Sequence, residues 1–572
     1  MKKVAETFKK TILLVVFLAL CAVLVAVILG GSIHHHQHEQ EHHTILLEKT
    51  CAKTLYPSLC RDTLSSLPAT KIATHPRNIL EIAINYALKS IKKCRSDILD
   101  IIITRQDLNS HEKNALRDCI EMLQQTLYEL RQTLHGSQSS NLSLGYALAS
   151  NLKTLLSAAM TNENTCIDGL SDIEEADREN QSQSQSQKSL KEKLQSILTP
   201  ISHMISNCLA MVKHLETSTS HSHSRKYSIT KMPLSFSFPD WMSYGERKLM
   251  EAAPEIRPNV IVAGDGSGDC RTIGDAVRMA PKMSFKRFVI KIKVGMYREN
   301  VEISREMTNI MLIGDGMNST IIAGSRNFVN GFSTFTSATL TVVGNKFLAR
   351  DLTVINTSSL DKHQAVAVRV TSDSAFYRCN FSSYQDTLYA HSFRQLYREC
   401  TIQGTIDFIF GNAAAVFQNC LILVRRPNPG QMNMITAQGR DDPHQNTGFS
   451  LQNCTILAAP DLRESLGSSR ISTYLGRPWR NHSRVMVMKS YVGSFIDPRG
   501  WHKWNRYSTV DTVEYIECWN RGPGSHTGAR VAWGGYKRNC SEVIARKFTV
   551  GNFLHETDDW LGSLGFPFLY DT

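Results

Sequence analysis

The sequence predicts two folded units, an N-terminal all-α four-helix bundle and a C-terminal all-β right-handed parallel β-helix. Three observations carry this. Apolar residues recur at helical spacing from about Thr44 to Leu215. From about Ile256 onward the pattern changes to short, β-branched strands punctuated by Gly and Asn, with almost no helical pattern between them, which argues against βαβ units. Within that second half, a segment marked by Cys returns every twenty or so residues. The chain has 572 residues, 42% of them hydrophobic, so wholesale disorder is excluded and roughly two to four domains are expected. A net charge of +12 favours an anionic partner: nucleic acid, lipid headgroups or an acidic polymer.

The N-terminus sets the compartment. Lys2, Lys3, Lys9 and Lys10 precede a run from Ile12 to Leu29 without a charge. That run is near the minimum for a membrane span and long for a signal peptide, and its positive flank should stay cytoplasmic. Residues 1–32 therefore read as a basic stub with either a cleaved signal or a retained anchor. Both deliver the chain to a compartment that permits disulfides. Eight Asn-x-Ser/Thr sequons, Asn141, Asn318 and Asn380 among them, suit a glycoprotein. The tract 33–43 holds six His among Gln and Glu; a solvated spacer is favoured over a metal-binding tract.

Four stripes build the bundle over 44–215. They are Leu80, Ile84, Ala87, Ile91; Leu116, Ile120, Leu123, Leu127, Leu130, Leu134; Leu144, Leu148, Leu152, Leu155, Ala159; and Leu190, Leu194, Ile197, Ile201, Ile205. Gly136 is placed to end the second helix. The Gln-Ser tract 181–187 reads as a polar loop. Cys51 and Cys60 bracket a short turn, and Cys119 and Cys166 lie on different helices, so bridges Cys51–Cys60 and Cys119–Cys166 would staple the bundle. Residues 216–255 lose all periodicity and form a linker, with the exposed dibasic segment Arg247-Lys248-Leu249-Met250 available to a processing protease.

In the second half, 256–572, the segments Phe288–Lys293, Asn309–Ile313, Leu340–Val343 and Ala365–Val370 read as strands. The repeat is Tyr377-Arg-Cys379-Asn-Phe381, Arg398-Glu-Cys400-Thr-Ile402, Gln418-Asn-Cys420-Leu-Ile422 and Gln452-Asn-Cys454-Thr-Ile456, read as variants of one strand. Stacked coils would bring these Cys about 4.8 Å apart. A disulfide Cys379–Cys400 and an unbridged buried ladder are both compatible with that stacking. Cys518 and Cys540 offer another pair, though spacing alone does not link them.

Asp386 lies seven residues after Cys379, and Asp407 seven after Cys400. In register, the two carboxylates sit side by side at about 5 Å, where both cannot ionise cheaply. One proton-bearing acid beside one ionised nucleophile is the division of roles that hydrolysis needs. A solvated or Ca²⁺-binding Asp ladder is the alternative. The surroundings favour catalysis: Gln385-Asp-Thr-Leu-Tyr389, Gly404-Thr-Ile-Asp-Phe-Ile-Phe-Gly411 with two Phe as an apolar wall, Gln364–Arg369 and Leu475-Gly-Arg-Pro-Trp479.

Taken in order, those four segments resemble the signature motifs of plant pectin methylesterases. Gly295-Met-Tyr-Arg-Glu299 and Gly565-Phe-Pro-Phe568 match as well. The bundle, through Cys51, Cys60 and Thr165-Cys-Ile-Asp-Gly169, resembles the pectin methylesterase inhibitor domain that precedes the enzyme in one class of that family. The resemblance implies a pectin-lyase-like solenoid acting on methyl-esterified homogalacturonan. It implies Asp407 as nucleophile, Asp386 as proton donor and then base, and Gln385 with Gln364 as oxyanion donors. It further implies Arg477 orienting Asp407 and touching substrate, Trp479, Tyr389 and Phe410 meeting sugar rings, and Thr334 contacting substrate. No cofactor and no metal are implied. Cys518 stands where the family commonly has Tyr, and Leu249-Met250 where the processing site usually has two Leu.

Rival readings are another β-helix enzyme, a pectate lyase or polygalacturonase, and a non-catalytic inhibitor or binding protein. Asp441-Asp442 suits a polygalacturonase, but that family's Gly-His-Gly segment is absent, and no Gly-x-Ser-x-Gly elbow marks a serine esterase. No motif supports nucleic-acid binding. The expected partners are pectin, the chain's own inhibitor-like unit and a processing protease. A monomer on the secretory route to the cell wall, held to a membrane as precursor, completes the expectation.

Overall fold

The computed structural model describes residues 2–138, 144–179, 185–216, 257–465, 471–506 and 508–554. Helix α1 (Lys2–Cys51) runs unbroken through the boundary expected between a membrane segment and a spacer. Its charge-free stretch Thr11–Leu29 is 19 residues long with every side chain exposed. At about 1.5 Å per residue it matches the hydrocarbon thickness of a bilayer. The side chains of the His-rich tract at 34–42, the dibasic linker segment Arg247–Met250 and the Gly565–Phe568 motif lie outside the described residues.

Helices α3 (Pro76–Thr104), α4 (Ser110–Gln138), α5 (Tyr146–Glu179) and α6 (Gln185–Leu215) form the bundle, with α2 (Pro57–Ser65) packed at one end. The apolar stripes read from the sequence are its core, with Ile84, Ile91, Leu116, Leu123, Leu152, Leu194 and Ile205 completely buried. Gly136 does not end its helix. A Cβ there would come within 2.9 Å of Leu152 Cδ2, so the missing side chain lets α4 and α5 approach closely. The described part of the Gln-Ser tract, from Gln185, is already helical. Disulfides join Cys51 to Cys60 and Cys119 to Cys166.

The second unit is a solenoid of three parallel sheets with 11, 7 and 8 strands, in which each coil contributes one strand to each sheet in turn. Its interior is stacked by coil. The rings of Phe376 and Tyr397 lie 5.1 Å apart at 6°, and those of Tyr397 and Phe417 4.8 Å apart at 7°. Such offset stacks add to the burial of large apolar surfaces.

The Cys repeat is not one strand. Arg378, Glu399, Asn419 and Asn453 have φ of 48, 52, 56 and 50°, a left-handed corner on each coil. That corner divides the segment between two sheets, for instance Ser374–Tyr377 and Asn380–Ser382. Cys379, Cys400, Cys420 and Cys454 sit just past the corners, buried and unbridged. The expected Cys379–Cys400 disulfide is therefore corrected to a thiol ladder. Residues stacked on consecutive parallel coils direct their Cβ atoms alongside one another, whereas a disulfide needs them to converge. The thiols bond to the backbone instead: Cys400 Sγ to Phe376 O at 3.5 Å, Cys420 Sγ to Tyr397 O at 3.3 Å, and Cys454 Sγ to Phe417 O at 3.3 Å. A disulfide does join Cys518 to Cys540, tying the C-terminal helices Glu542–Arg546 and Val550–Phe553 to the outer face of the 11-stranded sheet.

Candidate active site

The seven-stranded sheet builds the site. Its strands Leu388–Ala390 and Ile409–Gly411 are parallel neighbours, with Tyr389 opposite Phe410. Asp386 and Asp407 each precede that aromatic by three residues, so they occupy the same point on consecutive coils. Both adopt left-handed backbone, φ 65° and 50°, which Asp tolerates better than most residues. Coil-to-coil bonds fix the two turns: Asp386 N donates to Ile406 O at 3.1 Å, and Leu388 N to Phe408 O at 2.9 Å. Gly411 closes the second strand with φ 120°, and a Cβ there would fall 2.1 Å from Ala390 O. The two carboxylates end up 8% and 5% exposed.

Arg477, on the strand Thr473–Pro478, donates from Nε to Asp407 Oδ1 at 2.9 Å and from Nη2 to Oδ2 at 2.5 Å. This two-pronged bond fixes the plane of the carboxylate. The guanidinium is itself held by Trp504, whose ring centroid is 4.1 Å from Cζ. Tyr389 and Phe410 stack at 4.2 Å, and Trp479 lies 6.1 Å from Phe410. Of the two Phe beside Asp407, only Phe410 faces the groove. Phe408 precedes the strand, just past the left-handed turn at Asp407, and enters the solenoid core together with Ile409.

Asp386, Asp407, Gln385, Gln364, Thr334, Arg477, Trp479, Tyr389 and Phe410 line one cavity of about 140 Å³. Sequence reasoning missed Phe335, Ala437 and Trp504 on its walls. Trp504 comes from a loop outside the repeat, so no periodic signal marks it.

The bundle, which the resemblance implies as the enzyme's own inhibitor-like partner, lies across the groove. Asp118 on α4 and Thr165, Asp168 and Gly169 on α5 line the same cavity. Met122 of α4, completely buried, joins the apolar cluster of Phe335, Tyr389, Phe410 and Ala437. Thr165 Oγ1 lies 2.9 Å from His391 Nε2, Asn412 Nδ2 donates to Thr161 Oγ1 at 2.9 Å, and Asn446 Nδ2 to Thr154 Oγ1 at 2.9 Å. Ser150, Thr154, Ser157, Thr161 and Thr165 recur every three or four residues, an uncharged polar stripe that was legible in the sequence. Arg480 pairs with Asp168, Ser333 donates to Asp118, and Arg305 Nη2 donates to Glu129 Oε1 at 3.0 Å. Asp442, which suggested other chemistry, accepts from Ser206 Oγ on α6 at 2.5 Å and belongs to this seam.

Burial dominates the electrostatics there. It pushes the carboxyl groups of Asp118 and Glu129 up to about 7, against the pull of Ser333 and Arg369 on the first and of Arg305 on the second. Burial raises Asp168 as well, with Arg480 opposing. His391 is driven well below the usual imidazole range, first by burial and then by Arg369.

Comparison with known proteins follows the same division. Residues 259–558 match the Pectinesterase family, and residues 46–211 the plant invertase/pectin methylesterase inhibitor family. The chain is 44% identical over 543 residues to Pectinesterase 2 of Arabidopsis thaliana, covering 91% of this chain and 89% of that one. It is 43% identical over 531 residues to Pectinesterase/pectinesterase inhibitor U1 of Solanum lycopersicum, covering 91% and 88%. Among solved structures, a pectin methylesterase from carrot aligns with 51% identity and a TM-score of 0.54 over 55% of this chain and 99% of its own.

Proposed function

The chain belongs to the pectinesterase family, and from that premise we propose how its residues divide the work. It is a carboxylic ester hydrolase, a pectin methylesterase with an N-terminal unit of the pectin methylesterase inhibitor type. Asp407 attacks the carbonyl carbon of the C6 methyl ester of a galacturonate. Gln385 and Gln364 donate amide hydrogens to the oxyanion of the tetrahedral intermediate. Asp386 gives its proton to the departing methoxy oxygen, which leaves as methanol. It then takes a proton from the water that opens the acyl-enzyme, and Asp407 returns to its carboxylate form. Tyr389, Phe410 and Trp479 meet the sugar faces, and Thr334 contacts the chain at the groove edge. The observation that carries the assignment is the paired guanidinium of Arg477 on Asp407, with Asp386 at the same position one coil away.

The test is methanol release from pectin by residues 256–572. Asp407→Asn should lose several orders of magnitude in kcat with its fold intact, and Asp386→Asn should lose most activity together with one limb of the pH–rate profile. An Asp407→Asn enzyme within about tenfold of the parent contradicts the nucleophile assignment.

The bundle, residues 44–215, acts as a cover for this groove. Met122 fills the aromatic floor and Asp118 and Asp168 stand at the cavity wall. The remaining space of about 140 Å³ is below the roughly 300–1,000 Å³ typical of ligand sites. Release requires separation, which we assign to cleavage in the linker 216–255 after Arg247-Lys248-Leu249-Met250, freeing a monomeric enzyme of residues 251–572, which holds the whole catalytic unit 256–572, to the cell wall. Residues 1–32 carry the precursor into the secretory pathway, and its apolar helix tethers it to the membrane until then. Replacing Arg247 and Lys248 by Ala should keep the precursor intact; an unchanged mature fragment at the wall contradicts that processing site.

A further inference from the structure

One row of residues runs along the groove floor, paired strand to strand. In order it is Glu302, Thr341, Arg369, Tyr389, Phe410, Ala437 and Arg477. Arg477 and the aromatics have roles in the reaction above. Arg369 has none, yet its side chain is 4% exposed, as deeply buried as the nucleophile.

Its surroundings are unusual for a buried cation. Its Cζ lies 3.3 Å from the ring centroid of Phe335, which supports one face of the guanidinium. Nε and Nη1 are buried with no hydrogen-bond partner. The nearest carboxylate is Glu121 of the bundle, with Oε1 3.7 Å from Nη2, too far for a good hydrogen bond. Asp118, also of the bundle, is engaged by Ser333. Burying a guanidinium with unmet donors is unfavourable, and these donors are the ones a ligand in the open groove could satisfy. Of the acidic groups near it, Glu121 and Asp118 belong to α4 and Glu302 lies two strands away in the same row, so separation of the bundle removes the two from α4 and leaves its fork open to the groove.

Position selects the ligand. Arg369 is one sheet spacing from the coil of Asp386 and two from that of Asp407, about 5 and 10 Å along the axis. A polymer lying in the groove with its reacting ester at Asp407 would meet Arg369 with the carboxyl group of a different sugar. A planar guanidinium binds a free carboxylate through two parallel charged hydrogen bonds and gains far less from a neutral methyl ester.

We propose that Arg369 is a specificity-determining residue that pairs with a free galacturonate carboxylate further along the substrate chain, so that the enzyme acts preferentially beside sugars already demethylated. The inference rests on the esterase reading above. Each turnover then creates a recognition element for later ones, and free carboxylates accumulate in runs. In the covered form, Glu121 and Asp118 stand where that product carboxylate would lie.

The test uses residues 256–572. The carrot enzyme aligned above corresponds to this portion alone, and the portion has a hydrophobic core of its own. The substrates are two synthetic hexagalacturonates, one fully methyl-esterified and one carrying free carboxylates at defined positions. The parent should turn over the second with a kcat/KM about tenfold higher. Arg369→Gln should remove that preference, mainly through KM, with less than about threefold loss on the fully esterified oligomer, and should scatter the demethylated positions along pectin. Arg369→Lys, which keeps the charge without the fork, should fall between the two. Equal losses on both substrates, no loss on either, or a parent without preference would each overturn the proposal. A parent that releases no methanol from either oligomer would instead remove the esterase reading on which it rests.

Discussion

Arg305→Ala should open the intact chain. Arg305 lies in the solenoid, outside the cavity that holds the carboxylate pair, and its Nη2 donates to Glu129 Oε1 at 3.0 Å across the seam. Glu129 is 1% exposed, and its other carboxylate oxygen accepts from Asn162 Nδ2 at 2.7 Å. Removing one partner of a buried pair typically costs about 3–5 kcal/mol, because the other charge is left uncompensated. Arg305 is 20% exposed, so the lower end applies: about 3 kcal/mol, or roughly a hundredfold in the docking equilibrium at 1.4 kcal/mol per tenfold. The cost depends on pH, since the Glu129 carboxyl sits at about 7. Near pH 5 it already holds a proton, and the loss shrinks toward that of a hydrogen bond, about 1–3 kcal/mol. The assay is methanol release by intact Arg305→Ala at pH 8, scaled to the same amount of residues 256–572. Activity should rise toward that of the separated enzyme, by up to about a hundredfold over the intact parent. An intact variant as quiet as its parent at pH 8 refutes the reasoning.

Docking itself should weaken as pH rises. Asp118 and Glu129 have carboxyl groups raised to about 7 in the docked chain, by burial first, and return to the ordinary range near 4 once wet. The groups facing Asp118 are Ser333, Arg369 and Glu121, and those facing Glu129 are Arg305 and Asn162. The docked state therefore holds more protons, so its stability is complete below the ordinary carboxylate range and is lost as pH climbs through about 7. The activity ratio of intact chain to residues 256–572 should increase between pH 5 and 8; a flat ratio contradicts this. Thiol labelling of denatured, unreduced residues 256–572 should find Cys270 and the four ladder cysteines reactive, whereas loss of two of the ladder thiols would reveal a bridge.

The catalytic pair was legible because a solenoid converts sequence offset into spatial adjacency. Equal distances from Cys379 to Asp386 and from Cys400 to Asp407 suffice to stack the two carboxylates. The bundle was legible through its apolar stripes for the same reason, a period that maps directly onto one face. What failed was conformation that no period encodes. The left-handed corners at Arg378 and Glu399 cut an apparently continuous strand in two. Gly136 marks a close approach of two helices where its position suggested a stop. The seam between the units was invisible because each periodicity describes packing within its own unit. Only the Ser/Thr stripe of α5 hinted at a second buried face, and neither Met122 nor Arg369 carries any local sign of its partner.

Purified residues 256–572 and the intact chain, incubated with methyl-esterified homogalacturonan and followed for methanol, chain length and new reducing ends, test the central claim most directly. The separated enzyme should release one methanol for each carboxylate that appears, leave the polymer length unchanged, and far exceed the intact chain. Polymer cleavage, unsaturated ends, or an intact chain as active as the separated one would contradict the assignment of a covered aspartyl esterase.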